Sequence, residues 1–213
     1  MTSDRHGIAG VILAGGLSRR MGGGDKGLLD LAGHSMIGRV VAALQPQVGA
    51  MVLNANGDPA RFASLGLPVA PDTIDGFVGP LAGVLAGMRW AERHVAAARW
   101  IASVSSDAPF LPADLVQRLH GAVAGKPDAI AIAQSAGELH PVIGLWPVAH
   151  ADDLEAALKS GVRKVLRWTD THGTVPVDFA PVSIAGRAVD PFFNANTPEE
   201  LDEARQLLAK SGQ

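Results

Sequence analysis

Between Leu13 and Lys26 the chain reads Leu-Ala-Gly-Gly-Leu-Ser-Arg-Arg-Met-Gly-Gly-Gly-Asp-Lys, directly after the apolar run Ile8–Ala14. Glycine lets backbone N–H groups approach a ligand closely, and Arg19, Arg20 and Lys26 supply positive charge for a polyanion. A segment of this kind is built to wrap phosphates. Two further polar positions follow apolar runs: Asn54 closes Ala50–Asn54, and Asp107 lies just past Trp100–Ser105. A hard carboxylate oxygen such as that of Asp107 suits Mg²⁺, which takes one or two carboxylates and completes its shell from phosphate oxygens. Asp107 before Ala-Pro, and Asp72 after Pro71, also fit ordinary turn chemistry.

The elements that position these residues alternate between two periodicities. Strands are expected at Ile8–Ala14, Ala50–Asn54, Leu67–Ala70, Trp100–Ser105, Ala129–Ala133, Pro141–Trp146 and Val175–Phe179. Helices are expected at Met36–Leu44 behind a Ser35 cap, at a short Ala60–Ala63 segment, and at Leu81–Arg93 behind Gly79-Pro80. Others are expected at Pro112–Val123, Asp152–Leu158, Val162–Trp168 and Pro198–Leu208. The last opens with Thr197, Pro198 and Glu200, the spacing of a capping box. This βα alternation implies a mostly parallel sheet with helices on both faces, organised as one domain. Ligands of such sheets bind beyond the carboxyl ends of the strands. The glycine loop, Asn54 and Asp107 are therefore expected on one rim.

Composition narrows the field. A chain of 213 residues buries roughly 70% of its unfolded surface and needs no covalent staples. It contains no cysteine, which excludes disulfides, thiolate metal sites and a cysteine nucleophile. The net charge of −3 argues against a nucleic-acid or membrane-surface binder, so the loop cations act locally. No apolar stretch reaches the ~18 residues of a membrane span. The arginine pair follows the first apolar run rather than preceding it, so no secretory leader is expected and the location reads as cytoplasmic. No long apolar helix demands a partner, and a monomer is expected.

Several familiar sites are missing. Gly22, Gly24 and Gly27 have dinucleotide-fingerprint spacing, but they sit too far past the first strand, and Asn54 rather than an acid ends the second. There is no Gly-Lys-Ser/Thr, no Gly-x-Ser-x-Gly and no His-Glu-x-x-His. The seven histidines are scattered; only His140, beside Glu138 at the start of a strand, stands out. What remains suits nucleotidyl transfer. A phosphate nucleophile is already anionic near pH 7, so catalysis reduces to positioning, charge screening and a metal, with no general base. Asn194 and Asn196, ahead of the last helix, fit either a ligand contact or helix capping.

The ordered set of motifs resembles the molybdenum cofactor guanylyltransferase family along nearly the whole chain. The matching segments are Leu13-Ala-Gly-Gly, Ser18-Arg-Arg-Met-Gly, Asp25-Lys-Gly-Leu-Leu, Asn54-Ala-Asn56 and Pro71-Asp72. They continue with Gly79-Pro-Leu-Ala-Gly83, Ser106-Asp-Ala-Pro109, His140-Pro141 and Asn194-Ala-Asn-Thr-Pro-Glu-Glu200. The resemblance implies a Rossmann-like three-layer α/β/α nucleotidyltransferase fold. It also implies transfer of GMP from GTP to the phosphate of Mo-molybdopterin, with Mg²⁺ as cofactor. By position, Leu13, Ala14, Gly15, Lys26, Asn54, Asp72 and Asp107 would contact GTP, and Asp107 would also hold the metal. Arg19, Lys26 and Asp107 would carry the catalysis, with Arg20 beside the phosphates and Asn194, Asn196 and His140 toward the pterin. Partners in molybdenum insertion and molybdoenzyme maturation are also implied. Leu-Ala-Gly-Gly, where cytidylyl-transferring relatives tend to carry Leu-Ala-Ala-Gly, favours guanine. CMP transfer to molybdopterin, nucleotide transfer to a sugar phosphate and a non-catalytic nucleotide-binding scaffold remain the alternatives.

Overall fold

The computed structural model describes residues 5–15, 26–74, 76, 79–96 and 98–211. Arg19 and Arg20, to which the sequence assigns phosphate contacts, lie outside the described residues. The chain runs through β1 (Ile8–Leu13), β2 (Asp30–Leu31), β3 (His34–Ser35), α1 (Met36–Leu44), β4 (Ala50–Asn54), β5 (Val69–Ala70) and α2 (Pro80–His94). It continues through β6 (Trp100–Ser105), α3 (Leu115–Ala122), β7 (Ile130–Ser135), β8 (Glu138–Pro147) and α4 (Ala151–Lys159). The last elements are α5 (Val165–Thr169), β9 (Thr174–Asp178), β10 (Val182–Ile184), β11 (Arg187–Val189) and α6 (Pro198–Ser211).

Seven strands form the central sheet in the order β5-β4-β1-β6-β8-β7-β9. All run in one direction except β8, which is antiparallel to both neighbours. The sheet is mostly parallel, as expected, and β1, β4 and β6 lie side by side with Leu13 level with both Asn54 and Ser105. Their carboxyl ends therefore share one rim. Because β8 is reversed, its first residues come to that same rim.

Both faces of the sheet are covered. One apolar core joins Ile8, Ile12, Leu53 and Val104 to α1 and α3; a second joins Val11, Val52, Ile101 and Trp146 to α2, α4 and α5. Such double burial explains why β1, β4 and β6 read as continuous apolar runs rather than alternating ones. A third, smaller core gathers Leu31, Met36, Phe110, Val189, Ala195, Leu201, Ala204 and Leu207 beside the sheet. The antiparallel hairpins β2–β3 and β10–β11 belong to this outlying region, and the sequence had not marked them as strands. Strands of two or three residues carry too little periodicity to register.

Caps and proline positions set the helix ends. Ser35 Oγ accepts from Gly38 N at 3.1 Å, which starts α1 where expected. Thr197 Oγ1 accepts from Glu200 N at 3.2 Å, while Glu200 Oε2 accepts from Thr197 N at 2.9 Å, the reciprocal capping box of α6. Two helices are shorter than their patterns suggest: α3 begins at Leu115, after a turn at Pro112, and α5 is confined to Val165–Thr169. The Ala60–Ala63 segment is part of a 3₁₀ turn, Pro59–Leu65.

Helix α2 crosses β1 at unusually short range, and Gly83 and Gly87 permit it. A Cβ on Gly87 would stand 2.5 Å from Val11 Cγ2 and 2.8 Å from Cγ1. Valine has little rotamer freedom to retreat. Gly87→Ala should therefore destabilise the protein by about 1–3 kcal/mol, the usual cost of overpacking, read as a lower urea midpoint.

Candidate active site

The rim is assembled from two linked clusters. In the first, Ala14 N donates to Asn54 O at 2.9 Å, continuing the β1–β4 ladder by one bond past the strand. The buried Asn54 side chain donates through Nδ2 to Ala70 O at 3.2 Å and to Asp72 Oδ1 at 3.0 Å. Asn56 donates to Asp72 Oδ2 at 2.8 Å and accepts from Asp72 N at 2.9 Å. Two side-chain N–H groups thus hold the Asp72 carboxylate in one orientation, and a third bond fixes its backbone amide. Turn chemistry alone would not recruit two asparagines from a neighbouring strand end. The role of Asn56 was not assigned from sequence; its spacing from Asn54 was the only available signal.

In the second cluster Lys26 Nζ lies 2.9 Å from Asp107 Oδ2 and 2.7 Å from Asn196 Oδ1. Asp107 Oδ1 accepts from Ser105 Oγ, so both carboxylate oxygens are engaged. The side chains of Lys26 and Asp107 are 11% and 21% exposed, a setting in which charge pairing is screened less than at the surface. Backbone links tie the same residues to the sheet: Ser106 N donates to Leu13 O at 3.1 Å and Ala195 N to Asp107 O at 3.4 Å. Asn196 does not cap α6 through its side chain; Thr197 does, and Asn196 faces the lysine instead.

Packing explains why residues so far apart in sequence meet. Leu31, Phe110 and Ala195 share the small third core, and each follows or adjoins one member of the Lys26–Asp107–Asn196 cluster. Burying these apolar groups closes two long loops at once. On the other flank Leu13, Ala14 and Gly15 lead out of β1 between the two clusters, with Gly15 exposed. Gly79, at φ 154°, turns the chain into α2 at the same end of the sheet. The helix N-terminus carries partial positive charge, which favours a bound anion nearby.

Farther along the rim, His140 Nε2 lies 2.6 Å from Ser135 Oγ, which is 3.0 and 2.9 Å from the two oxygens of Asp190. Burial holds His140 below its ordinary pKa, although the charges of Asp190 and Glu138 oppose the shift. The imidazole is therefore neutral at pH 7. Asn194 Oδ1 is buried with no hydrogen-bond partner among the described residues. Structure thus brings together Leu13, Ala14, Gly15, Lys26, Asn54, Asp72, Asp107, Asn194 and Asn196 along one rim.

A family model described as a MobA-like NTP transferase domain matches residues 10–174. The chain belongs to this family. It is 50% identical over 209 residues to the molybdenum cofactor guanylyltransferase of Rhodopseudomonas palustris strain BisB5, covering 98% of this chain and 97% of that one. It is also 50% identical over 209 residues to that of Bradyrhizobium sp. strain ORS 278, with 98% and 96% covered. Among solved structures, molybdopterin-guanine dinucleotide biosynthesis protein A from Archaeoglobus fulgidus superposes with a TM-score of 0.72. That match covers 95% of this chain and 99% of that one at 22% identity, and it places the two in one fold. The protein is a nucleotidyltransferase.

Within the MobA-like frame, Gly83 is a sensitive point. A Cβ there would lie 2.3 Å from Asn54 Oδ1 and 2.8 Å from Leu13 Cδ2. Gly83→Ala should push Asn54 off Asp72 and weaken nucleoside triphosphate binding at least about tenfold, or roughly 1.4 kcal/mol. Equilibrium binding of a labelled triphosphate checks this, and unchanged affinity would show that the Asn54–Asp72 pair does not contact nucleotide.

Proposed function

We propose that the protein transfers GMP from GTP to the terminal phosphate of Mo-molybdopterin, forming the guanine dinucleotide form of the cofactor and releasing pyrophosphate. The observation that carries the reading is the Lys26 ammonium shared between Asp107 and Asn196 at the carboxyl rim of the sheet. Near-full-length identity of 50% to guanylyltransferases of this class supports the choice of substrates.

In this reading an oxygen of the acceptor phosphate attacks the α-phosphorus of GTP, and the bond from that phosphorus to the β-phosphate bridging oxygen breaks. No residue need remove a proton from an anionic nucleophile, and the Ser105 hydroxyl is already committed to Asp107 Oδ1. Leu13, Ala14 and Gly15 contact the nucleotide, largely through backbone. Asn54 and the fixed carboxylate of Asp72 contact the guanosine end. Lys26, Arg19 and Arg20 hold the phosphates and stabilise charge gathering on the departing pyrophosphate. Asn194 and Asn196 face the acceptor.

A divalent cation fits the donor set at Asp107. Among the described residues no three acidic or histidine side chains gather to cage a metal. A single carboxylate completed by triphosphate oxygens and water is the arrangement Mg²⁺ favours. When bound, Mg²⁺ supplies charge neutralisation at the phosphates. Lys26, the cation now paired with the Asp107 carboxylate, marks that position as one built for positive charge. The same reading takes the protein to act as a monomer in the cytoplasm.

Three outcomes are expected. Pyrophosphate release in the presence of Mo-molybdopterin should be fastest with GTP among the four triphosphates; preference for CTP would move the activity to cytidylyl transfer. Chelation should stop turnover and added Mg²⁺ restore it, and Asp107→Ala should lower kcat/KM by about a thousandfold or more, given the several kcal/mol a metal supplies. Lys26→Ala should raise the barrier by about 3 kcal/mol, a loss of roughly a hundredfold in kcat. A loss confined to KM for GTP would instead mean that Lys26 binds ground and transition states equally.

A further inference from the structure

Ser135, His140 and Asp190 are the three residue types of a hydrolytic triad, but their order is wrong for one. In a triad the histidine stands between acid and serine. Here the serine stands in the middle, 2.6 Å from His140 Nε2 and 2.9–3.0 Å from the Asp190 carboxylate. Ser135 has one proton to give, and an ionised carboxylate can only accept. The hydroxyl therefore donates to Asp190, and its lone pair receives Nε2–H from His140. His140 is held as the Nε2–H tautomer, with its remaining lone pair on Nδ1.

The relay sits in a closely packed frame. Ser135 is 3% exposed, and the two-residue turn Ala136-Gly137 pairs it directly with Glu138. Immediately after His140 the β7–β8 register breaks: Ala133 pairs with His140, but Ile132 pairs with Gly144. Such bulges re-aim side chains beside functional sites. The His140 ring packs on Phe192 with centroids 4.7 Å apart, and Asp190 Oδ1 also accepts from Phe192 N at 2.8 Å. Two residues on stands Asn194, whose Oδ1 is buried and unpartnered, and then Asn196, which meets Lys26.

His140 Nδ1 makes no hydrogen bond among the described residues, and it is not among their buried unpartnered atoms, so it opens to solvent. This end of the rim thus presents one open acceptor, Nδ1 of His140, while Oδ1 of Asn194 is enclosed. A phosphate, itself an acceptor, gains nothing from it. A ligand rich in N–H donors does. The strand order places β8 and β7 on the side of Asp107 away from Asn54 and Asp72. An acceptor attacking in line must approach from the side opposite the leaving pyrophosphate.

We propose that Asp190 and Ser135 are positioning residues that lock His140 as a hydrogen-bond acceptor for the N–H groups of the acceptor substrate's heterocycle. The inference rests on the guanylyl-transfer reading for the identity of that substrate, a pterin, whose ring and amino N–H groups are donors. It assigns to the His140 end of the rim recognition of the ring, leaving its phosphate to the Lys26 region.

Nitrogen-15 NMR of the histidine-labelled protein near neutral pH tests the lock without any substrate, with His140→Gln used for assignment. Nε2 should carry the proton and Nδ1 should not; a protonated Nδ1 overturns the proposal. Asp190→Asn, which can donate to Ser135 and turn its hydroxyl toward the imidazole, should move the proton to Nδ1; an unmoved tautomer would deny the relay its role. In turnover, His140→Phe and Asp190→Asn should each raise KM for Mo-molybdopterin about tenfold, the usual cost of an unmatched buried hydrogen bond, with GTP binding unchanged. His140→Gln, which still offers an acceptor oxygen, should recover most of that loss. An equal loss of GTP affinity, or no change in KM for the acceptor, overturns it. Failure of the underlying reading shows separately, as wild-type protein that releases no pyrophosphate from GTP with this acceptor while the NMR result stands.

Discussion

One ammonium group organises this rim. Lys26 is 81 residues from Asp107 and 170 from Asn196 in sequence, yet it bonds to both. Closing loops of that size costs entropy that a single charged contact does not repay, since partly buried ion pairs are offset by desolvation. The compensation comes from the third apolar core, where Leu31, Phe110 and Ala195 pack beside the three polar residues. Hydrophobic burial brings the segments together, and the lysine then selects their alignment. The central sheet contributes a rigid edge, and the small core gathers the chemistry along it.

The rim has a polarity that follows from strand order. Asn54 and Asp72 occupy one flank, Lys26 and Asp107 the middle, and His140 with Ser135 and Asp190 the other. Reversal of β8 is what brings His140 to this edge at all, because a parallel strand would have delivered its last residue there rather than its first. A reaction joining two phosphates needs two ligands on opposite sides of one phosphorus. In the proposed reading, a sheet edge with distinct flanks and a cation between them meets that need.

Much of this was legible in the chain because the signals are local. The capping box of α6 and the Ser35 cap of α1 mark helix starts that depend on only four residues, and both are found where expected. The apolar runs of β1, β4 and β6 are buried on both faces and so announce themselves without neighbours. The hairpins β2–β3 and β10–β11 are too short for periodicity, and their partners in the small core are distant. The direction of β8 was equally hidden: the same alternation of apolar residues serves a strand running either way. Proline at 112 read as a helix start, whereas the structure uses it in a turn before Leu115.

Among the polar residues, residue type and place in the sequence marked Lys26, Asn54 and Asp107 as candidates and the family resemblance added Asp72; all four lie on the rim. Their partners were not marked. Nothing in the primary sequence says that Asn56 steadies Asp72, that Asn196 faces a lysine rather than capping its own helix, or that Ser135 stands between a histidine and an aspartate. Those pairings depend on which distant segments share a core and at what angle they meet. By itself the chain determined its helix caps and its buried strands, because these arise from backbone sterics, short-range hydrogen bonds and unbroken apolar runs. Tertiary packing alone decided which of its polar groups touch, because apolar burial drives segments together without regard to their order, and hydrogen-bond geometry then chooses among the contacts it creates.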